Sequence, residues 1–214
     1  MMRWSIRRPI MWVLGLAIIG LIAFILSNGA SEAGSFDRDQ QPSLGKASAP
    51  VEIVEFGDYN CSSCKKFNDN LFLQMQEELI ATGKVKFYYV HHPVIQEDSK
   101  RAARFAEAVY QVLGNDVFWQ FHHVVFDNLQ DKGEEQRYTD AYLKQTLNGL
   151  VSEEKTEEVM KAYNDGTGSN AIDDDISYAK EMNVSDTPVL YVDGKRFEGE
   201  SLAELKKMVE QATH

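Results

Sequence analysis

The two cysteines of this 214-residue chain stand two residues apart, in Cys61-Ser62-Ser63-Cys64. Thiols at that spacing support either of two chemistries: a disulfide that opens and closes, or a soft metal held through deprotonated sulfur. Residues 51–56 before the pair read Val-Glu-Ile-Val-Glu-Phe, the composition of a buried strand. After it, Cys64, Phe67, Leu71, Met75 and Leu79 recur at spacings of three and four, so they share one face of a helix. Cys61 therefore falls at a helix start, where unpaired N–H groups and the positive end of the dipole favour an anion. That anion is a thiolate, which forms below the free value of about 8.5 in such a place and is the species that attacks disulfides. Cys64, one turn in and on the apolar face, is expected to be the less exposed thiol. As a structural staple the pair is poor, because so small a loop constrains the unfolded chain little.

These thiols need elements to position them. A strand over 51–56, a helix over 62–81 ended by Gly83 and a strand over 85–90 make a strand-helix-strand unit with parallel strands. Much later, residues 188–192 and 195–197 flank Asp193-Gly194, a hairpin signal. Leu202, Leu205, Met208 and Val209 then mark a last amphipathic helix over 201–211. Between the halves the period is helical. Ala102, Phe105, Ala106, Val109 and Leu113 mark one helix, Val117, Phe118, Phe121 and Val125 a second, residues 138–147 and 156–163 a third and fourth, and Ile172, Ile176, Ala179 and Met182 a fifth. Residues 165–170 read as a flexible break whose glycines lack the context of a phosphate loop.

A cysteine pair at the start of the helix in such a unit, followed by a proline-led hairpin and a helix, resembles the thioredoxin fold, an α/β architecture. The helical insert, about residues 98–183, resembles the DsbA branch, and in particular membrane-anchored DsbA-like oxidoreductases of the BdbD type. The likeness is carried by Val54-Glu55-Phe56-Gly57-Asp58-Tyr59, Lys65, Phe67 and Thr187-Pro188, and spans about residues 44–212. It implies that Cys61 attacks and forms the mixed disulfide while Cys64 resolves it. It also implies a cis peptide bond before Pro188, facing the cysteines, with backbone groups of Thr187 turned toward a substrate strand. Glu55 occupies the place of a buried acid beneath Cys64, where desolvation raises its pKa and lets it shuttle the Cys64 proton; Glu52 points to solvent. Ser62 and Ser63 lie against substrate, and Asp58 and Tyr59 on the rim. The redox disulfide is the whole cofactor. The implied partners are thiols of exported proteins and a DsbB-type membrane quinone oxidoreductase that restores the disulfide, with the chain itself a monomer. Ser-Ser supplies no cation between the cysteines, so the expected potential lies between about −120 mV for DsbA and about −270 mV for thioredoxin.

The first 26 residues set the compartment. Arg3, Arg7 and Arg8 precede residues 9–26, eighteen positions without a charge. As a helix these span roughly 27 Å, close to the hydrocarbon core of a bilayer. The charge asymmetry exports the chain beyond this stretch, giving a single-pass membrane protein with an extracytoplasmic catalytic domain. Cleavage at Ser31-Glu32-Ala33 would make it a secreted one instead. Residues 27–49 read as a spacer and 50–214 as the catalytic domain. Beyond residue 33 the chain has 19 basic and 32 acidic residues, a net charge of −13, which disfavours nucleic acid. His91-His92 and His122-His123 are expected as surface or partly packed imidazoles, and Asp173-Asp174-Asp175 as a solvated helix start without the spacing of a calcium loop. Two rivals remain at this point: a reductase or isomerase of the same fold, and a thioredoxin-fold protein binding metal through Cys61, Cys64 and a histidine.

Overall fold

Strand β1 (Ser43–Leu44) is short and polar-edged, whereas β2 (Val51–Gly57) is apolar on both faces, with only Glu52 partly exposed. A strand of the second kind needs cover on both sides and neighbours on both edges. In the computed structural model, which describes residues 36–129 and 137–213, β2 runs parallel to β3 (Val85–His91) and antiparallel to β4 (Val189–Val192). With β5 (Lys195–Arg196) they form a five-stranded sheet in the order β1-β3-β2-β4-β5. Asp193 and Gly194, both at positive φ, turn β4 into β5, as an Asp-Gly pair should.

Period-two alternation sorts the sheet into two faces. Ile53, Phe87, Leu190 and Val192 join the larger core with α1 (Ser62–Phe67), α2 (Glu97–Leu113), α3 (Asn115–Asp127) and α7 (Leu202–Ala212). Val54, Phe56, Tyr88, Val90, Val189 and Tyr191 pack on the other face against Ala179 of α6 (Ser169–Glu181). Helices α4 (Asp140–Asn148) and α5 (Glu153–Asn164) complete the insert, with Tyr163 edge-on to Phe105 of α2 at 5.4 Å. Ser201 and Glu204 close a reciprocal capping box at the start of α7.

Several expectations are corrected. The helix after the cysteines is not a regular α-helix: α1 runs on through π-helical turns at Asn68–Phe72 and Gln76–Ile80, with an α turn, Leu73–Met75, between. A π turn admits one extra residue, so the buried stripe steps from Phe67 to Phe72 rather than to Leu71, and Leu73 is left exposed. The described part of the spacer is ordered. Phe36 stacks on Tyr178 at 4.7 Å, Arg38–Gln40 form a 3-10 turn, and β1 pairs with β3. Helix α6 starts at Ser169, so Asp175 lies in mid-helix and is buried; it accepts from the His91 N–H and from Gln41. His91, His92 and His122 are buried too, and His123 alone among the described histidines is partly exposed. Residues 9–26, the expected membrane span, lie outside the described residues; among the described ones no helix is long and apolar enough to cross a membrane.

Candidate active site

The dithiol is held by the turn that leaves β2. Asp58, expected on the rim, is buried and organises this turn: one carboxylate oxygen accepts from the Asn60 N–H at 2.8 Å, the other from the N–H groups of Val94 and Ile95 at 2.9 Å each. Its carbonyl accepts from the Cys61 N–H. The Asp-x-Asn spacing, an Asx turn, is the signal that could have revealed this from sequence. Tyr59 is equally buried. Its hydroxyl sits 3.2 Å from His122 Nδ1, and its carbonyl accepts from the Tyr138 hydroxyl at 2.6 Å. The Asp58 bonds tie the loop after β3 to the turn, and the side chains of Val94 and Ile95 are exposed.

Cys61 is the N-cap of α1, with extended backbone and its sulfur accepting from the Cys64 N–H at 3.4 Å. Both cysteines are free thiols, so this is the reduced form. The Cys64 thiol donating to Cys61 is the main reason that the Cys61 pKa falls to about 6; burial opposes the fall, and Thr187 and the N–H groups of Cys64 and Ser63 add to it. Ser62 and Ser63 are exposed, and what Ser63 brings to the sulfur is its backbone N–H rather than its hydroxyl. Cys64 is wholly buried, and burial, the hydrogen bond to Cys61 and the nearby Glu55 carboxyl push its pKa up. One thiol is thus prepared to ionise and the other to hold its proton.

From the far side of the sheet's end, the Thr187-Pro188 peptide bond is cis and the Cys61 thiol donates to the Thr187 carbonyl at 3.3 Å. Glu55 lies under the pair on the Ile53 face of β2, 3% exposed, and burial followed by the charge on Cys61 raises its pKa to about 8. The structure thus brings Cys61, Cys64, Glu55, Thr187 and Pro188 to one place. His91, held neutral with a pKa of about 3 by burial, and His122, lowered likewise, pack in the core behind it. Among the described residues no three His, Cys, Asp or Glu side chains gather as a metal site would require.

A thiol pair at a helix start, opposed by a cis proline and backed by a buried acid, now stands on a sheet of known order, and residues 37–211 match the family model described as "Thioredoxin". The chain belongs to the thioredoxin family. Within it, the chain is similar to the disulfide bond formation protein D of Bacillus subtilis, with 36% identity over 155 residues covering 72% of this chain and 68% of that protein. It is also similar to the probable disulfide bond formation protein D of Bacillus cereus, with 32% identity over 181 residues covering 84% and 83%. The crystal structure of oxidised BdbD from Bacillus subtilis superposes with a TM-score of 0.76 at 32% identity, over 83% of this chain and 95% of that one. This thioredoxin-family protein is a DsbA-like thiol-disulfide oxidoreductase.

Proposed function

We propose that the protein oxidises thiols of exported proteins outside the cytoplasm, giving up a Cys61–Cys64 disulfide. The observation that carries this reading is the asymmetry of the pair, a Cys61 thiolate formed near pH 6 above a buried Cys64 that retains its proton. A substrate thiolate attacks the Cys61 sulfur of the oxidised enzyme, the Cys61–Cys64 bond breaks, and its electron pair leaves on Cys64. Glu55, protonated at neutral pH, supplies the proton that Cys64 takes up. A second substrate thiolate then attacks the substrate sulfur joined to Cys61. Cys61 leaves as the stabilised thiolate, and the substrate departs with a new disulfide. The backbone of Thr187, fixed by the bond before Pro188, is placed to pair with an extended substrate strand, and exposed Ser62 and Ser63 face the same approach.

The remaining parts of the reading rest on sequence. Residues 9–26 anchor the chain in the cell membrane with the dithiol outside, and a DsbB-type quinone oxidoreductase in the same membrane reoxidises Cys61 and Cys64, so no bound cofactor is needed beyond the disulfide; the protein acts as a monomer. Equilibration with glutathione buffers tests the direction. A potential well above about −270 mV supports an oxidase, and one as low as thioredoxin's sinks it. One observation favours a reductase or isomerase as the second reading: the Cys61 pKa of about 6 is nearer to thioredoxin's, about 7, than to DsbA's, about 3.5.

A further inference from the structure

Glu55 and Tyr89 stand opposite each other across the parallel β2–β3 pair. Their side chains leave the same face of the sheet, the face that also buries Cys64. Tyr89 is fully buried. Its ring leans along the strands toward the cysteines, for a Cβ placed on Gly57 would lie 2.5 Å from its Cε2 and 2.6 Å from its hydroxyl oxygen. Gly57 is two residues nearer to Cys61 than Glu55 is, so the missing side chain at 57 opens the space into which the phenol reaches. That hydroxyl has no hydrogen-bond partner among the described residues, which for a buried O–H costs free energy and asks for a reason. The titratable groups around it are Glu55 of β2, Asp58 and Tyr59 of the turn and Cys64 of α1, with His91 of its own strand and His122 of α3 against the ring.

We infer that Tyr89 is a positioning residue for the proton transfer between Glu55 and Cys64: its hydroxyl, unpaired while both groups are protonated, turns to donate a hydrogen bond to whichever of the two becomes the anion. This rests on the shuttle role proposed for Glu55. When the Cys61–Cys64 bond breaks, Cys64 holds the electron pair and the phenol donates to that sulfur; once the Glu55 proton has moved to Cys64, the phenol donates to the carboxylate left behind. Reoxidation runs the same transfer backward: Glu55, from the minority of molecules in which it is ionised at neutral pH, takes the Cys64 proton as Cys64 attacks the mixed disulfide on Cys61, whose partner sulfur leaves with the electron pair. Tyr89 gives up no proton in either direction. Burial holds its pKa well above the ordinary phenol value, so it remains a donor throughout. His91 and His122 are kept neutral by burial and do not compete for the charge.

The test uses Tyr89→Phe, which removes the hydroxyl and keeps the ring. Two quantities are read: the titration of the Glu55 carboxyl by carbon NMR in the reduced protein, and the rate at pH 7 at which Cys64 displaces glutathione from a mixed disulfide on Cys61. The expected result is a Glu55 titration about one unit higher and a displacement roughly tenfold slower, the effect of one hydrogen bond lost from an anion. The Cys61 inflection near pH 6 should stay where it is. An unmoved Glu55 titration together with an unchanged displacement rate overturns the inference. Glu55→Gln, measured alongside, separates the two ways of failing. If Glu55→Gln displaces glutathione at the unaltered rate, the shuttle reading falls and the role of Tyr89 with it; if Glu55→Gln is slow and Tyr89→Phe is not, only the role of Tyr89 falls.

Discussion

Replacing Cys64 by alanine should move the Cys61 pKa upward, although no charge is altered. The Cys64 thiol is the largest of the influences that bring Cys61 down from 9.0 to about 6, and a hydrogen bond to an ion is worth about 1.5–3 kcal/mol. At about 1.36 kcal/mol per unit, its loss should raise the inflection by about one to two units, to between about 7 and about 8. At pH 6.5 the thiolate fraction of Cys61 should then fall from about three-quarters to about a tenth, for a pKa of about 7.5. Alkylation by iodoacetamide as a function of pH, or thiolate absorbance near 240 nm, reads this directly. The inflection is the quantity to follow, because each thiolate becomes more nucleophilic as its pKa rises and partly hides the change in rate. Cys64→Ser keeps a donor in the same place and should return the inflection most of the way toward 6. Equal inflections in the alanine and serine variants would refute the reasoning, and would leave the N–H groups of the helix start as the groups that hold the thiolate.

Glu55 links stability to pH. Its folded pKa of about 8 lies above the unfolded value near 4.5, so the folded state loses stability as pH rises from about 4.5 to about 8, by up to about 4–5 kcal/mol. Glu55→Gln should match the parent protein near pH 4.5 and exceed it at pH 8 in urea unfolding; a difference of the same size at both pH values would contradict this. Variant and parent are compared at each pH, because other groups contribute to both: Glu107 and Asp175, with raised pKa values, add slope of the same sign, and Cys61, His91 and His122, with lowered ones, add slope of the opposite sign. Asp58→Ala removes the acceptor of three backbone N–H groups. It should cost about 3 kcal/mol and lower the melting temperature by about 6–12 °C; an unchanged melting curve would show that water serves those groups as well. Gly57→Ala forces a methyl into the Tyr89 ring and should cost about 2–3 kcal/mol. A double-mutant cycle checks the cause, for the cost should largely vanish in a Tyr89→Ala background.

Where a local rule decides an element, the sequence reveals it. The parallel β2–β3 pair, the Asp193-Gly194 hairpin, the helices of the insert and the capped last helix follow from periodicity and turn chemistry. The placement of Cys61 at a helix start, with Cys64 buried behind it, follows from the spacing of apolar residues alone. What periodicity cannot show is a residue whose partners are distant in the chain. Asp58 reads as one more polar turn residue until the N–H groups of Val94 and Ile95 fold over it, and Asp175 reads as part of an acidic run until Gln41 and the His91 N–H reach it. The π turns escape for another reason. A helix that gains one residue per turn keeps a helical look in sequence and only shifts which apolar residue is buried, so Phe72 and Leu71 exchange places. Tyr89 looks like core in any strand, and only the bare Gly57 beside it shows where its hydroxyl points.

The sheet's two margins bear on the conditions under which such an oxidoreductase works. β1 and β5 are each two residues long, and β5 consists of Lys195 and Arg196. Short margins, one of them charged, resist edge-to-edge association, the first step of strand-mediated aggregation. A catalyst that must meet other proteins before they have folded is surrounded by sticky, extended chain. Under the function proposed above, margins this short give such a chain little ledge on which to lengthen the sheet, and would leave the backbone beside Cys61 as the place of capture.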